Sequence, residues 1–240
     1  MRVAVMQPYF YPYLGHFQLM KAVDVWVIFD SINYRPKSWI NRNRIIHPNE
    51  IPGWQFMSIP IKNSTRSYQI NEVEVSNLPE WKDRLTRKLL VYKSIAPNFD
   101  TTLEIFKSGL SPTSNYLSNF LVGALKNVIK LLDISIEIVL ASDLEDFPQS
   151  AAHSGEWALK IASMLGASSY LNPISGSNLF RAEEFKSAGI SLEYFNPKLF
   201  EYAQGDRKFL PGLSILDVLM FNEPKVIKKW LQFGEIIKAS

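Results

Sequence analysis

Two apolar runs with one short helical stretch between them open this chain, and they constrain its fold more than any other feature. Residues 3–7, Val3-Ala4-Val5-Met6-Gln7, read as a short buried strand. Residues 14–23 repeat apolar side chains at Phe17, Met20 and Val23, the spacing of a helix face. Residues 25–30, Val25-Trp26-Val27-Ile28-Phe29-Asp30, are apolar without alternation up to the closing acid. A run of that kind suits a strand covered on both faces, as in a parallel sheet. Strand, helix and strand within about 30 residues is the length of one βαβ unit.

The alternation continues along the chain. Residues 31–50 are polar, basic and aromatic and read as a loop. Residues 54–61 and 70–75 alternate like strands and are expected to pair as an inserted hairpin. Helices are expected over 80–92 and 115–132, a strand over 134–140 and a helix over 154–165 ending at Gly166. Strands follow over 168–172 and 191–195, then helices over 215–221 and 224–231. Strand alternating with helix predicts a doubly wound, mainly parallel α/β sheet with a small β insertion and C-terminal helices. With 240 residues, 47% of them apolar, and no repeat or linker in view, one α/β domain over 1–240 is expected.

Charge and cysteine content narrow the function. The net charge is only +3, and the densest basic cluster is Arg35, Lys37, Arg42 and Arg44. That cluster suits a diphosphate better than a nucleic-acid duplex. There are no cysteines, so disulfides, thiolate metal sites and thiol nucleophiles are excluded. The N-terminus has no long apolar stretch of a signal peptide, and no run reaches the roughly 18 apolar residues of a membrane helix. A cytoplasmic protein without membrane insertion is expected.

Four segments carry candidate chemistry. The first is the turn Gln7-Pro8-Tyr9-Phe10-Tyr11-Pro12-Tyr13-Leu14-Gly15-His16. Ligands of open α/β sheets bind at the carboxyl ends of strands, and a helix N-terminus attracts phosphate. Gln7, Tyr9, Tyr13 and Gly15 are candidates to surround such a group, with His16 a candidate catalytic residue that donates a hydrogen bond to the phosphate or to a polarised carbonyl. The alternative is that Gly15 eases helix packing and His16 is a hydrogen-bonded structural residue. The second is Trp39-Ile40-Asn41-Arg42-Asn43-Arg44, where Arg42 and Arg44 would clamp phosphate while Trp39 stacks and Asn41 adds polar contacts; the alternative is a solvated basic loop. The third is Asn172 to Arg181, where Ser175, Gly176, Ser177 and Arg181 would form an anion-binding turn, or simply a capped strand-to-helix connection. The fourth is Asp217, a candidate catalytic residue: an acid on an apolar helix must be paired when buried, either with a ligand or with a protein group. His47 and His153 are isolated, and no metal site is expected.

The turn at 7–16 resembles the histidine-containing phosphate motif of nucleotidylyltransferases and class I synthetases, with Tyr13 in place of that motif's first histidine. That resemblance implies a nucleotidylyltransferase/Rossmann-like fold. The stretches Met6 to Gly15, Trp39 to Arg44, Tyr170 to Gly176 and Leu213-Ser214-Ile215-Leu216-Asp217-Val218-Leu219 together resemble the WbqC-like family, over nearly the whole chain. One departure is Asn172-Pro173, where the family's loop is richer in glycine. The resemblance implies a role in O-antigen and lipopolysaccharide biosynthesis, with a glycine transferase activity proposed for the family. The expected ligand is ATP or a nucleotide-sugar. A catalyst would transfer an aminoacyl group to an amino-sugar nucleotide or glycan. The alternatives are a nucleotidylyltransferase-like enzyme and a non-catalytic nucleotide-sugar scaffold.

Overall fold

A computed structural model describes residues 1–49, 51–62, 67–111 and 114–239. Its centre is a six-stranded sheet. Strand β1 (Arg2–Met6) leads through helix α1 (Leu14–Lys21) to β2 (Val25–Ile28). The chain then leaves the sheet and returns as β5 (Glu137–Leu140), β6 (Ser169–Pro173), β7 (Ser191–Asn196) and β8 (Glu235–Lys238). Their order is β5-β2-β1-β6-β7-β8, parallel except for β8, which runs antiparallel to β7. The two apolar runs at the N-terminus are therefore adjacent inner strands, as their composition requires.

Alternation along β1 and β2 sends side chains to opposite faces. Val3, Val5, Val25 and Val27 face a cluster built with Ala158, Ile161 and Ala162 of α5 (Ser154–Met164) and Phe185 of α6 (Ala182–Ser187). Ala4, Trp26 and Ile28 face the larger cluster. That cluster also takes in α1, α3 (Phe99–Gly109) and α4 (Leu117–Leu132), followed by α7 (Ile215–Phe221) and α8 (Pro224–Trp230). Helices thus cover both faces, and winding reverses between β1 and β6.

The insertion differs from its expected form. The hairpin pairs β3 (Arg42–Ile46) with β4 (Trp54–Ser58) in antiparallel register, Arg44 opposite Phe56. Residues 42–46, expected as loop, supply one strand. Residues 70–72 form a 3₁₀ turn, and only a single bridge joins Ile61 to Val75. Part of the stretch between those two runs, residues 63–66, lies outside the described residues. The expected helix 80–92 is α2 (Trp81–Leu89) continued by a 3₁₀ turn. Helix α3 and strand β8 were not anticipated. The hairpin's inner side chains Ile45 and Met57 are fully buried in the larger cluster, which fixes β3 against the α/β frame.

No helix among the described residues is long and apolar enough to cross a membrane.

Candidate functional site

Residues 7–13 leave the carboxyl end of β1 as an irregular loop. Tyr11 lies within it at φ 43°. That left-handed conformation costs about 1–3 kcal/mol in a residue with a Cβ, so its surroundings must hold it there. They do so through backbone oxygens. The Asn43 side-chain amide donates to the Tyr11 carbonyl at 2.8 Å and to the Phe10 carbonyl at 3.0 Å. The Ser214 hydroxyl also donates to the Tyr11 carbonyl, at 2.8 Å. The Tyr11 hydroxyl, buried, donates to the Phe106 carbonyl at 3.2 Å.

Backbone bonds complete this joint. Phe10 N–H donates to Trp39 (3.1 Å), Ser214 N–H to Arg44 (2.9 Å) and Ile215 N–H to Pro12 (2.9 Å). Three of the four segments singled out in the sequence are therefore one hydrogen-bonded unit. Ser214 also caps α7, accepting from Leu216 N–H.

This unit walls a cavity of about 260 Å³. Tyr9, Pro12 and Tyr13 line it from the β1–α1 loop, Trp39, Asn43 and Arg44 from the insertion, and Gly212 from the turn before α7. Tyr9, Tyr13, Trp39 and Arg44 were expected here. Pro12, Asn43 and Gly212 were not among the expected site residues. Asn43 was readable only as the buried position between two arginines on an alternating strand.

Arg44 is held among aromatic rings. Its guanidinium carbon lies 5.4 Å from the Trp39 ring centroid and 5.3 Å from that of Trp54. One terminal nitrogen donates to the Gly212 carbonyl at 3.3 Å. Its Nε is buried and has no partner among the described residues. Trp39 is 42% exposed, unusual for so large a ring. Arg42, two residues back on the same strand face, sits 4.1 Å over Phe56 and donates to the Lys37 carbonyl. Its Nε is also buried without a partner among the described residues, but Arg42 is not among the residues lining the cavity. Asn41 is committed internally: it accepts from the Tyr34 hydroxyl (2.9 Å) and donates to the Ile59 carbonyl (2.8 Å).

Helix α1 begins at this loop. A Cβ on Gly15 would lie 2.4 Å from the Tyr13 ring and 2.8 Å from Pro197, so only glycine fits. His16 is 4% exposed, edge-on to Trp26 at 4.8 Å and 5.7 Å from the Tyr9 ring. Its ring makes no hydrogen bond among the described residues. Burial lowers its pKa to about 3, so the ring is neutral. Burial raises the Tyr9 hydroxyl's pKa, opposed by the charge of Arg35, and raises that of Tyr13, with Tyr9 adding to the shift. Gln7, half-buried, follows β1 with no side-chain hydrogen bond among the described residues.

Asp217 is fully buried. Its carboxylate accepts from the hydroxyls of Tyr92 (2.7 Å) and Tyr202 (2.6 Å) and from the Gln204 amide (2.8 Å). Burial raises its pKa while these three donors oppose the rise. It is not among the residues lining the cavity.

The segment after β6 stands apart from that lining. Residues Ile174–Leu179 form a 3₁₀ helix, with Ser175 exposed and Gly176 and Ser177 half-buried. Gly176 lies against the Asn172 amide, where a Cβ would approach it to 2.7 Å. Arg181 is exposed and paired with Glu184 at 3.0 Å.

Comparison with known proteins covers almost the entire chain. The model of the WbqC-like protein family matches residues 7–229. The uncharacterized protein Rv1507c of Mycobacterium tuberculosis is 26% identical over 226 residues, which are 92% of this chain and 93% of that protein. No solved structure matches the chain. The matched span takes in the β1–α1 loop, the hairpin and the start of α7, the three parts joined around the cavity, and this chain belongs to the WbqC-like protein family.

Proposed function

We propose that this protein is a transferase of bacterial O-antigen and surface-polysaccharide biosynthesis. It takes a nucleotide or nucleotide-sugar into the cavity between the β1–α1 loop and the hairpin. The observation that carries the reading is the buried, unpartnered Nε of Arg44 beside an exposed Trp39. A buried N–H without a partner costs about 1–3 kcal/mol, and a phosphate oxygen would satisfy it with a charge-assisted bond. Trp39 would stack on the base or the sugar. The reversal of winding between β1 and β6 supports a Rossmann-like, nucleotidylyltransferase-like reading, because ligands of such sheets sit at that reversal.

In this reading Tyr9 and Tyr13 border the phosphate, while Gly15 and the neutral ring of His16, which do not line the cavity, support those two rings from within. Arg42 adds charge, and Asn41 holds the loop on which Arg42 begins its strand. Ser175, Gly176, Ser177 and Arg181 stand outside this cavity, and the reading assigns them no contact with the phosphate. Asp217 positions Tyr92, Tyr202 and Gln204 and acts through them.

The transferred group, from the family resemblance, is aminoacyl, with glycyl preferred. The glycine carboxylate attacks the α-phosphorus of ATP and pyrophosphate leaves. The sugar amine then attacks the acyl carbon, forming an amide, and AMP leaves with the electron pair of the broken C–O bond. The protein's contribution is positioning and charge stabilisation. The test is glycine-dependent exchange of labelled pyrophosphate into ATP. The expected result is exchange in the wild type and its loss in Arg44→Ala. Nucleotide binding without exchange, or release of AMP, in the presence of glycine and amino sugars supports a second reading, a nucleotide-sugar-binding scaffold. That reading has one observation behind it: the buried acids Asp30, just past β2, and Asp217, on α7, are both engaged by protein donors.

A further inference from the structure

A second and larger cavity, of about 620 Å³, opens over the carboxyl ends of β2 and β5. That volume is within the range for small-molecule sites. Its base is tied together by Asp30, just past β2, whose two oxygens accept from the backbone N–H (3.0 Å) and hydroxyl (2.9 Å) of Ser142, just past β5. One wall is aromatic: Trp157 of α5 stacks on Phe147 with centroids 5.7 Å apart and planes 12° from parallel. The other wall carries the amides of Asn33, Gln69 and Asn71 and the guanidinium of Arg35. The Oδ1 of Asn71 is buried with no partner among the described residues. No carboxylate lines this cavity among the described residues.

These groups match one ligand chemistry. An amide side chain offers both a donor and an acceptor, as a sugar hydroxyl does. An aromatic wall accepts the apolar C–H face of a pyranose, and a single cation without an opposing acid favours an anionic substituent. An apolar ligand would leave the buried Asn71 amide oxygen unpaired, and a free phosphate would make no use of the rings.

We infer that this cavity is a carbohydrate subsite for a hexose phosphate moiety, with Phe147 and Trp157 on the ring face, the amides of Asn33, Gln69 and Asn71 on its hydroxyls and Arg35 on its phosphate. The phosphate rests on the nucleotide-sugar reading above; the ring does not. Arg35 lies close enough to Tyr9 to lower its pKa. Tyr9 lines the first cavity and Arg35 the second. A nucleotide-sugar would then place its sugar in the second cavity and its nucleotide in the first.

The test is saturation-transfer NMR on the whole chain, titrating glucose 1-phosphate, galactose 1-phosphate and N-acetylglucosamine 1-phosphate, with glucose and inorganic phosphate as separate probes. At least one hexose phosphate should saturate, with affinity about tenfold above both glucose and inorganic phosphate. Asn71→Leu and Arg35→Gln should each weaken it by about fivefold or more, and Arg44→Ala by less than about twofold. Both variants are checked for wild-type circular dichroism, and Asn33→Ala replaces Asn71→Leu if the latter misfolds. Failure of all three hexose phosphates to saturate overturns the inference. So does inorganic phosphate binding as tightly as they do, or affinity indifferent to the variants. Sugar-phosphate binding with no nucleotide binding keeps the subsite and removes the nucleotide reading; the converse removes only the subsite.

Discussion

The guanidinium carbon of Arg44 and the ring centroid of Trp39 lie 5.4 Å apart, side by side in the lining of the first cavity, the arginine half-buried with its Nε short of a partner among the described residues, the tryptophan open to solvent. The two come from opposite ends of a six-residue stretch, brought together by β3 and by the bond from Phe10 to the Trp39 carbonyl. Replacing Arg44 by Ala should weaken nucleotide affinity by about 1.5–3 kcal/mol, the worth of a charged hydrogen bond. Isothermal titration with ATP and with a nucleotide-sugar measures this. Unchanged affinity would take Arg44 out of the site.

Gly15 has no room for a side chain. Gly15→Ala should push the Tyr13 ring out of the cavity wall and reduce nucleotide affinity by about tenfold or more. The melting temperature should fall as well, because Pro197 blocks the other direction. Titration and thermal melting of the one variant check both. Wild-type affinity in a folded variant would show that Tyr13 does not shape the binding site.

His16 links the site to stability through pH. Its folded-state pKa, about 3, is below the value near 6.5 of an unfolded chain. Between those values the unfolded state binds the proton and the folded state does not. The His16 contribution is therefore fully present above pH 6.5 and is lost progressively as pH falls toward 3, by about 1.4 kcal/mol per pH unit at most. Asp217, with its pKa raised, acts in the opposite sense: stability it contributes on protonation is lost as pH rises. Comparing urea midpoints of wild type and His16→Asn from pH 7 to pH 5 isolates the histidine. The wild type should lose more stability over that range than the variant, and parallel curves would contradict the burial argument.

Asp217 should act through structure. Asp217→Ala leaves the hydroxyls of Tyr92 and Tyr202 and the Gln204 amide without their acceptor, at about 1–3 kcal/mol for each buried group. Denaturant unfolding should show a loss of about 3 kcal/mol or more. Tyr202→Phe should cost about 1 kcal/mol. Wild-type stability with turnover abolished would instead return Asp217 to the reacting groups.

The sheet was largely legible because its inner strands must be apolar on both faces. Residues 3–7 and 25–30 admit few other readings. The hairpin was misplaced for the opposite reason. Arg42 and Arg44 look solvated in the sequence, yet they lie against Phe56, Trp39 and Trp54, and the residue turned inward is Asn43. Asn43 is buried because it binds loop carbonyls some 32 positions earlier, a pairing that no local pattern contains. Strand β8 has four exposed residues, charged at both ends, and so lacks the alternation that marks a half-buried strand. The segments 7–16 and 39–44 were recognisable as candidates from their composition. That Ser214 joins them through the Tyr11 and Arg44 carbonyls followed only from the fold.

The most direct test of nucleotide binding at the first cavity is thermal denaturation of wild type and Arg44→Ala against ATP and a set of nucleotide-sugars. A ligand at 100 times its dissociation constant stabilises a folded protein by about 2.7 kcal/mol. The account predicts that at least one of these ligands raises the wild-type melting temperature by several degrees and that the same concentration leaves Arg44→Ala nearly unmoved. No shift with any of them, or an equal shift in both proteins, would contradict it.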